Sequence, residues 1–222
     1  MGFATVVTRA ARLWSVLLIG LLLCLTAMAL PQSRDALLRS AGRALVAGDA
    51  IGHADAIVIS SDSGAAGVLE AADLFHAGAA PRIAVFSTPS DPAQRELRHR
   101  GIPFDSPAAL SIQLLHALGV TAIEQLPDAV EGTADEGAAL HRWCTAHSFH
   151  TIIFVSTADH SRRTRRVLHR ALAASGTHVE VRYARYSAFD PDGWWHSRDG
   201  QRTQITESEK LLLDFLAHPL SW

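Results

Sequence analysis

Lysine is almost missing from this chain. Of its 20 basic residues only Lys210 is a lysine, so nearly every cation is a planar guanidinium suited to carboxylate or phosphate. Cysteine is as scarce, with two in the whole sequence. Cys24 lies in a hydrophobic run and Cys144 in the middle of a predicted helix, which excludes a disulfide framework. Neither sign of charge is in excess. A net charge of −2 excludes the positive field of a nucleic-acid-binding chain. Apolar residues make up 48% and charged residues 19%, a globular balance rather than a disordered one. The 222 residues suffice for one sizeable core and not for two ordinary domains.

Several catalytic signatures are also missing. Without G-x-S-x-G the chain is not expected to be an α/β-hydrolase. Without G-x-G-x-x-G or G-x-x-x-x-G-K-[ST] it has neither a dinucleotide fingerprint nor a P-loop. There is no H-E-x-x-H, and His141, His147 and His150 do not make a zinc pattern, so no metal is expected. Internal repeats and low-complexity tracts are absent too.

One hydrophobic run stands out. Leu13 to Leu30 carries no charge across 18 residues, about 27 Å as a helix at about 1.5 Å per residue, close to the ~30 Å of a bilayer core. Arg9 and Arg12 precede it, so the positive-inside rule leaves the N-terminus in the cytoplasm. Arg34, Arg39 and Arg43 follow on the far side, with only Asp35 against them. Two readings stand side by side. The run is an uncleaved transmembrane signal anchor, or a signal peptide cleaved after Ala27-Met28-Ala29. Both place everything that follows outside the cytoplasmic membrane, and the membrane is itself an expected partner.

Residues 31–53 form an amphipathic connector, with Ala36, Leu37, Leu38, Ala41, Leu45 and Val46 near helical spacing and Gly48 and Gly52 ending it. Residues 54–222 then alternate short β-branched runs with helical stretches. Strands are predicted at 56–60, 82–86, 151–156 and 179–183, and a weaker one at 122–126. Helices are predicted at 64–77, 92–100, 108–118, 133–147, 161–174 and 206–217. This alternation implies an α/β, Rossmann-like three-layer sandwich with a mostly parallel sheet. The segment from Ser187 to Arg202, rich in Pro, Gly and Trp, reads as a loop. Packing is the default for Trp194-Trp195.

Ligands bind such sheets outside the carboxyl ends of the strands. Four hydroxyl-rich turns fall there: Ser60-Ser61-Asp62-Ser63-Gly64, Ser87-Thr88, Glu131-Gly132-Thr133 and Ser156-Thr157-Ala158-Asp159-His160. Each alone reads as a helix cap. Together they predict a crevice, with Ser61, Asp62, Ser63, Ser87, Thr88, Thr133, Ser156, Thr157 and Arg163 as ligand-binding residues. Glu136 either closes a capping box with Thr133 or serves the site. His160 starts a helix, whose positive end favours a neutral imidazole able to act as a base. Glu136 and His160 are the candidate catalytic pair, with Glu136 as orienter or partner. Arg163 shares the first turn with His160 and would hold an anion. The other arginines of that helix, Arg162, Arg165, Arg166 and Arg170, read mostly as a solvated face. Thr206-x-x-Glu209 reads as a plain capping box.

From Ala54 to Leu213 the chain resembles the YdcF-like domain of unknown function, the family of SanA- and ElyC-like envelope proteins. Ala54-Asp55-Ala56-Ile57-Val58-Ile59 matches its opening strand, and Leu74 to Ile83 its L-x-x-G-x-A-P-x-I stretch, with one residue more between Leu74 and Gly78. Gly119-Val120, Thr133-Ala134-Asp135-Glu136 and Val155 to Arg163 match its later motifs, with Trp195 and Glu207 in its C-terminal pattern. Three features depart from it. Ser60 to Gly64 replaces a Gly-rich loop, an arginine is missing between Ala66 and Glu70, and Thr88 stands where a glycine is usual. The resemblance implies a Rossmann-like fold, a membrane anchor and a role in envelope and cell-wall biogenesis. The leading functional reading is binding of a small anionic ligand, phosphate- or carboxylate-bearing. The alternatives are a non-catalytic envelope interaction module, and an S-adenosylmethionine or nucleotide binder, which needs the opposite topology. No cofactor is assigned.

Overall fold

A computed structural model of the chain describes residues 14–16, 18–20 and 30–219. The run Leu13–Leu30, its flanking Arg9 and Arg12, and Cys24 lie largely or wholly outside the described residues. Among those described, no helix is long and apolar enough to cross a membrane.

Five strands form one sheet: β1 (Ala56–Ile59), β2 (Ile83–Ser87), β3 (Ile123–Ala129), β4 (Thr151–Ser156) and β5 (His178–Tyr183). Their order is β3-β2-β1-β4-β5 and every neighbouring pair is parallel. The predicted Rossmann-like α/β sandwich is what forms. All four residues of β1 are buried, as a strand covered on both faces requires. Side chains alternate between two cores. Ala56, Val58, Ile152 and Phe154 face one cluster with Leu140, Trp143 and Leu168. Ile57, Ile59, Ile153 and Val155 face the other with Val68, Ala71 and Leu115.

The helices are α1 (Pro31–Arg43), α2 (Gly64–His76), α3 (Pro92–His99), α4 (Pro107–Ala117), α5 (Thr133–His147), α6 (Ser161–Leu172) and α7 (Arg198–Ala217). Helices α2 and α4 supply one core, α5 and α6 the other. The weak third strand is real, and it runs on through Pro127 to Ala129. It can hold a proline, which has no N–H to donate, because β3 is the sheet edge.

Three expectations are corrected. The connector helix stops at Arg43, before Gly48, and the chain continues along β5. There Asp49 donates its N–H to the Val181 carbonyl and accepts from the Val181 N–H. Helix α7 starts at Arg198 rather than Thr206, capped by Ser197, whose hydroxyl accepts from the Gly200 N–H. Thr206 and Glu209 are therefore mid-helix and form no capping box. Gly200 and the preceding tryptophans disguise this start as loop. Trp194 is a packing residue, donating from Nε1 to the Leu38 carbonyl at 2.8 Å.

The arginines of α6 are not a solvated face either. Arg162 donates to the Val46 carbonyl, Arg165 pairs with Asp49, and Arg166 and Arg170 both pair with Asp214. Arg166 also lies 3.6 Å from the centre of the Phe215 ring. Pairing is what makes their burial tolerable. It ties α6 to the connector on one side and to α7 on the other.

Candidate site at the carboxyl ends of β1 and β4

The chain runs from β1 outward to β2 and β3, then returns to β4 on the other side. The crevice between the ends of β1 and β4 is the switch point at which such sheets bind ligands. Two turns reach into it, Ser60–Ser63 after β1 and Thr157–His160 after β4.

A continuous chain of polar contacts fills the place. His160 donates from Nδ1 to Asp62 Oδ2 at 2.7 Å. Its Nε2 lies 3.1 Å from Asp159 and 3.2 Å from Glu207. Arg163 donates from Nε to Glu207 at 3.2 Å and from Nη1 to Thr133 Oγ1 at 3.2 Å. Lys210 closes the far end on Glu207 at 2.7 Å. On the other side, Glu136 Oε1 lies 2.7 Å from the Ser61 N–H, 2.9 Å from the Ser61 hydroxyl and 3.0 Å from the Ser60 hydroxyl. That Ser60 hydroxyl is also 2.6 Å from Asp62 Oδ1. It has one proton for two carboxylates.

These contacts set the protonation states. Burial alone would lower the His160 pKa, but Asp62, Glu207 and Asp159 outweigh it and raise it to about 10. Burial would raise Asp62, yet His160 and Ser60 hold it at about 2. Glu207 is likewise held at about 2, against burial, by His160, Lys210 and Arg163. Glu136 goes the other way. Burial, aided by the negative charge of Asp62, raises it despite the hydrogen bonds from Ser61 and Ser60.

Two expectations fall here. Three carboxylates outweigh both burial and the helix end and raise the His160 pKa, which favours the imidazolium over the expected neutral base. Glu136 does not return to the backbone of Thr133. Helix α5 has no side-chain cap at Gly132, and it is Asp135 that accepts from the Glu131 N–H at 3.1 Å. Nor does Glu136 orient His160. Asp62 does that, and Ser60 and Asp62 stand between the two.

The other predicted residues divide. Ser61, Asp62, Thr133 and Arg163 join the network. Ser156 is fully buried at its edge. The Ser156 and Thr157 hydroxyls are buried without a hydrogen-bond partner among the described residues. Ser63 donates to the Ser60 carbonyl at 2.8 Å and clamps its own turn. Ser87 donates to the Leu126 carbonyl at 3.0 Å and holds β2 to β3 across a register shift. Thr88 faces a different space, an apolar cavity of about 350 Å³.

A polar groove of about 370 Å³ opens beside His160, lined by Asp159, Asp199, Arg202, Thr203, Thr206 and Glu207. Glu207 is the buried residue of its lining and was visible in the sequence only through the family pattern. Asp159 sat in a recognised turn, but Asp199 and Arg202 lay in the presumed loop. Among the described residues no group of His, Cys, Asp and Glu is arranged to hold a metal ion. Comparison with protein-family models, with curated proteins and with solved structures found no match.

Proposed function

We propose that this is an envelope protein of the YdcF-like kind, anchored by its N-terminal run, whose strand-end crevice binds a small phosphate- or carboxylate-bearing ligand. The observation that carries this reading is the meeting of Asp62, Glu136, His160 and Arg163 at the switch point, beside two buried hydroxyls that have no partner among the described residues. His160 and Arg163 supply positive charge, and an anion there would exchange with the carboxylates now holding them. Any proton transfer at this site would run through Glu136, whose pKa is raised toward the working range of an acid or base, rather than through His160.

A second reading, a non-catalytic interaction module, draws on one fact: the cations of the network are already matched by its carboxylates. Titration calorimetry with methyl phosphate at pH 6 and pH 8 separates the two. The ligand reading predicts saturable binding, weakened at least tenfold in Arg163→Gln, with circular dichroism confirming the fold. Heats that never saturate, in wild type and variant alike, support the module.

A further inference from the structure

The ligand's polar head is only half of what the strand ends can hold. Behind the Ser60–Ser63 turn, between α2 and α4, lies the cavity of about 350 Å³. Ile59 and Val85 of the sheet and Phe104, Leu110 and Leu114 form its apolar walls, while Asp105 and Ser111 are among its polar lining. Phe104, Leu110 and Leu114 are 43%, 45% and 42% exposed. Large apolar side chains lining a cavity while this exposed are not satisfied by the protein's own packing.

Ser61 joins this cavity to the charged site. It lines the cavity, while its N–H and hydroxyl both donate to Glu136. A molecule whose polar end meets the Ser61 turn therefore has an apolar space adjoining that end.

We propose that the ligand is an amphiphile: an acidic head in the crevice, and an apolar arm seated between α2 and α4 against Leu110 and Leu114. This rests on the ligand reading above and adds the arm to it. The volume lies at the small end of the ligand-pocket range of about 300–1,000 Å³, which suits a short alkyl-sized arm. The alternative use of such a surface is contact with another protein. The continuity through Ser61 favours a single small molecule that occupies both spaces.

Calorimetry on the full chain in lipid nanodiscs, with empty nanodiscs as the blank, tests this with methyl phosphate, hexyl phosphate and hexanol. Each buried methylene is worth roughly fourfold in affinity. Hexyl phosphate should therefore bind at least tenfold tighter than methyl phosphate, and tighter than hexanol. Ser111→Phe, placed to fill the cavity from α4, should bring the hexyl-to-methyl ratio near one and leave methyl phosphate binding unchanged. Leu114→Asp serves if that variant does not fold. Equal affinities for the two phosphates in the wild type overturn the arm and leave the head site standing. Hexanol binding as tightly as hexyl phosphate overturns the amphiphile. An unchanged ratio in Ser111→Phe overturns the location, and no binding of any probe overturns both readings.

Discussion

At the scale of single residues, His160 and Glu136 respond to pH in different ways. The His160 pKa is raised to about 10 from an ordinary 6.5. Its stabilising contribution is complete below 6.5 and is lost as pH rises through 10. Wild type minus His160→Gln, followed by urea unfolding, should therefore shrink between pH 7 and pH 10. A constant difference would mean that His160 is neutral. Asp62 and Glu207, lowered to about 2, contribute above the ordinary carboxylate range and lose that contribution as pH falls through 2. Glu136 is raised from an ordinary 4.5, so its burial costs stability progressively as pH rises above 4.5 and in full once pH passes the raised value. Its protonation also removes a negative charge beside the proposed anion site. Sulfate, whose own charge does not change near neutral pH, should bind tighter as pH falls through that raised value, and Glu136→Gln should bind it with little pH dependence. A pH dependence surviving in Glu136→Gln would assign the titration to another group. The turns that carry these residues were legible, because strand ends in parallel sheets lead into helix starts. The charge states were not. Arg163 meets Glu207 from 44 positions away, and no local pattern marks a glutamate of α7 as buried.

At the scale of elements, helices α5 and α6 approach so closely that a Cβ on Gly137 would lie 2.8 Å from that of Ala171. Gly137→Ala gains about 1 kcal/mol of helix propensity but forces the helices apart, at roughly 1–3 kcal/mol for overpacking. The variant should be less stable, and adding Ala171→Gly should restore it. A more stable Gly137→Ala would show that the pair has slack. Helix α1 docks through Gly42, where a Cβ would lie 2.1 Å from the Pro191 carbonyl oxygen. Gly42→Val should detach α1 and raise proteolysis near Arg43 without unfolding the sheet. Loss of the whole fold would make α1 part of the core. Strands β1, β2 and β4 were legible as continuous apolar runs, and edge strand β5 as Val179 and Val181 alternating with polar residues. Edge strand β3 was faint because its polar residues and Pro127 dilute that pattern. The start of α7 was missed because Gly200 follows two tryptophans and so reads as loop.

At the scale of the whole molecule, the parallel sheet and its switch point put the charged network where such folds bind ligands, and the proposed anchor would put that network outside the cytoplasm. Export predicts that a periplasm-only reporter fused after Trp222 is active. Activity of a cytoplasm-only reporter at the same place would reverse the topology and reopen the nucleotide and methyl-donor readings. The central claim is that the charged network at β1 and β4 is a ligand site and not only a brace between helices. The most direct measurement is nitrogen-15 NMR of the His160 imidazole at pH 8 during titration with methyl phosphate. The account predicts both ring nitrogens protonated at the start, and signals that move saturably with the probe and fail to do so in Arg163→Gln. A neutral ring at pH 8, or signals unmoved by the probe in the folded wild type, would contradict it.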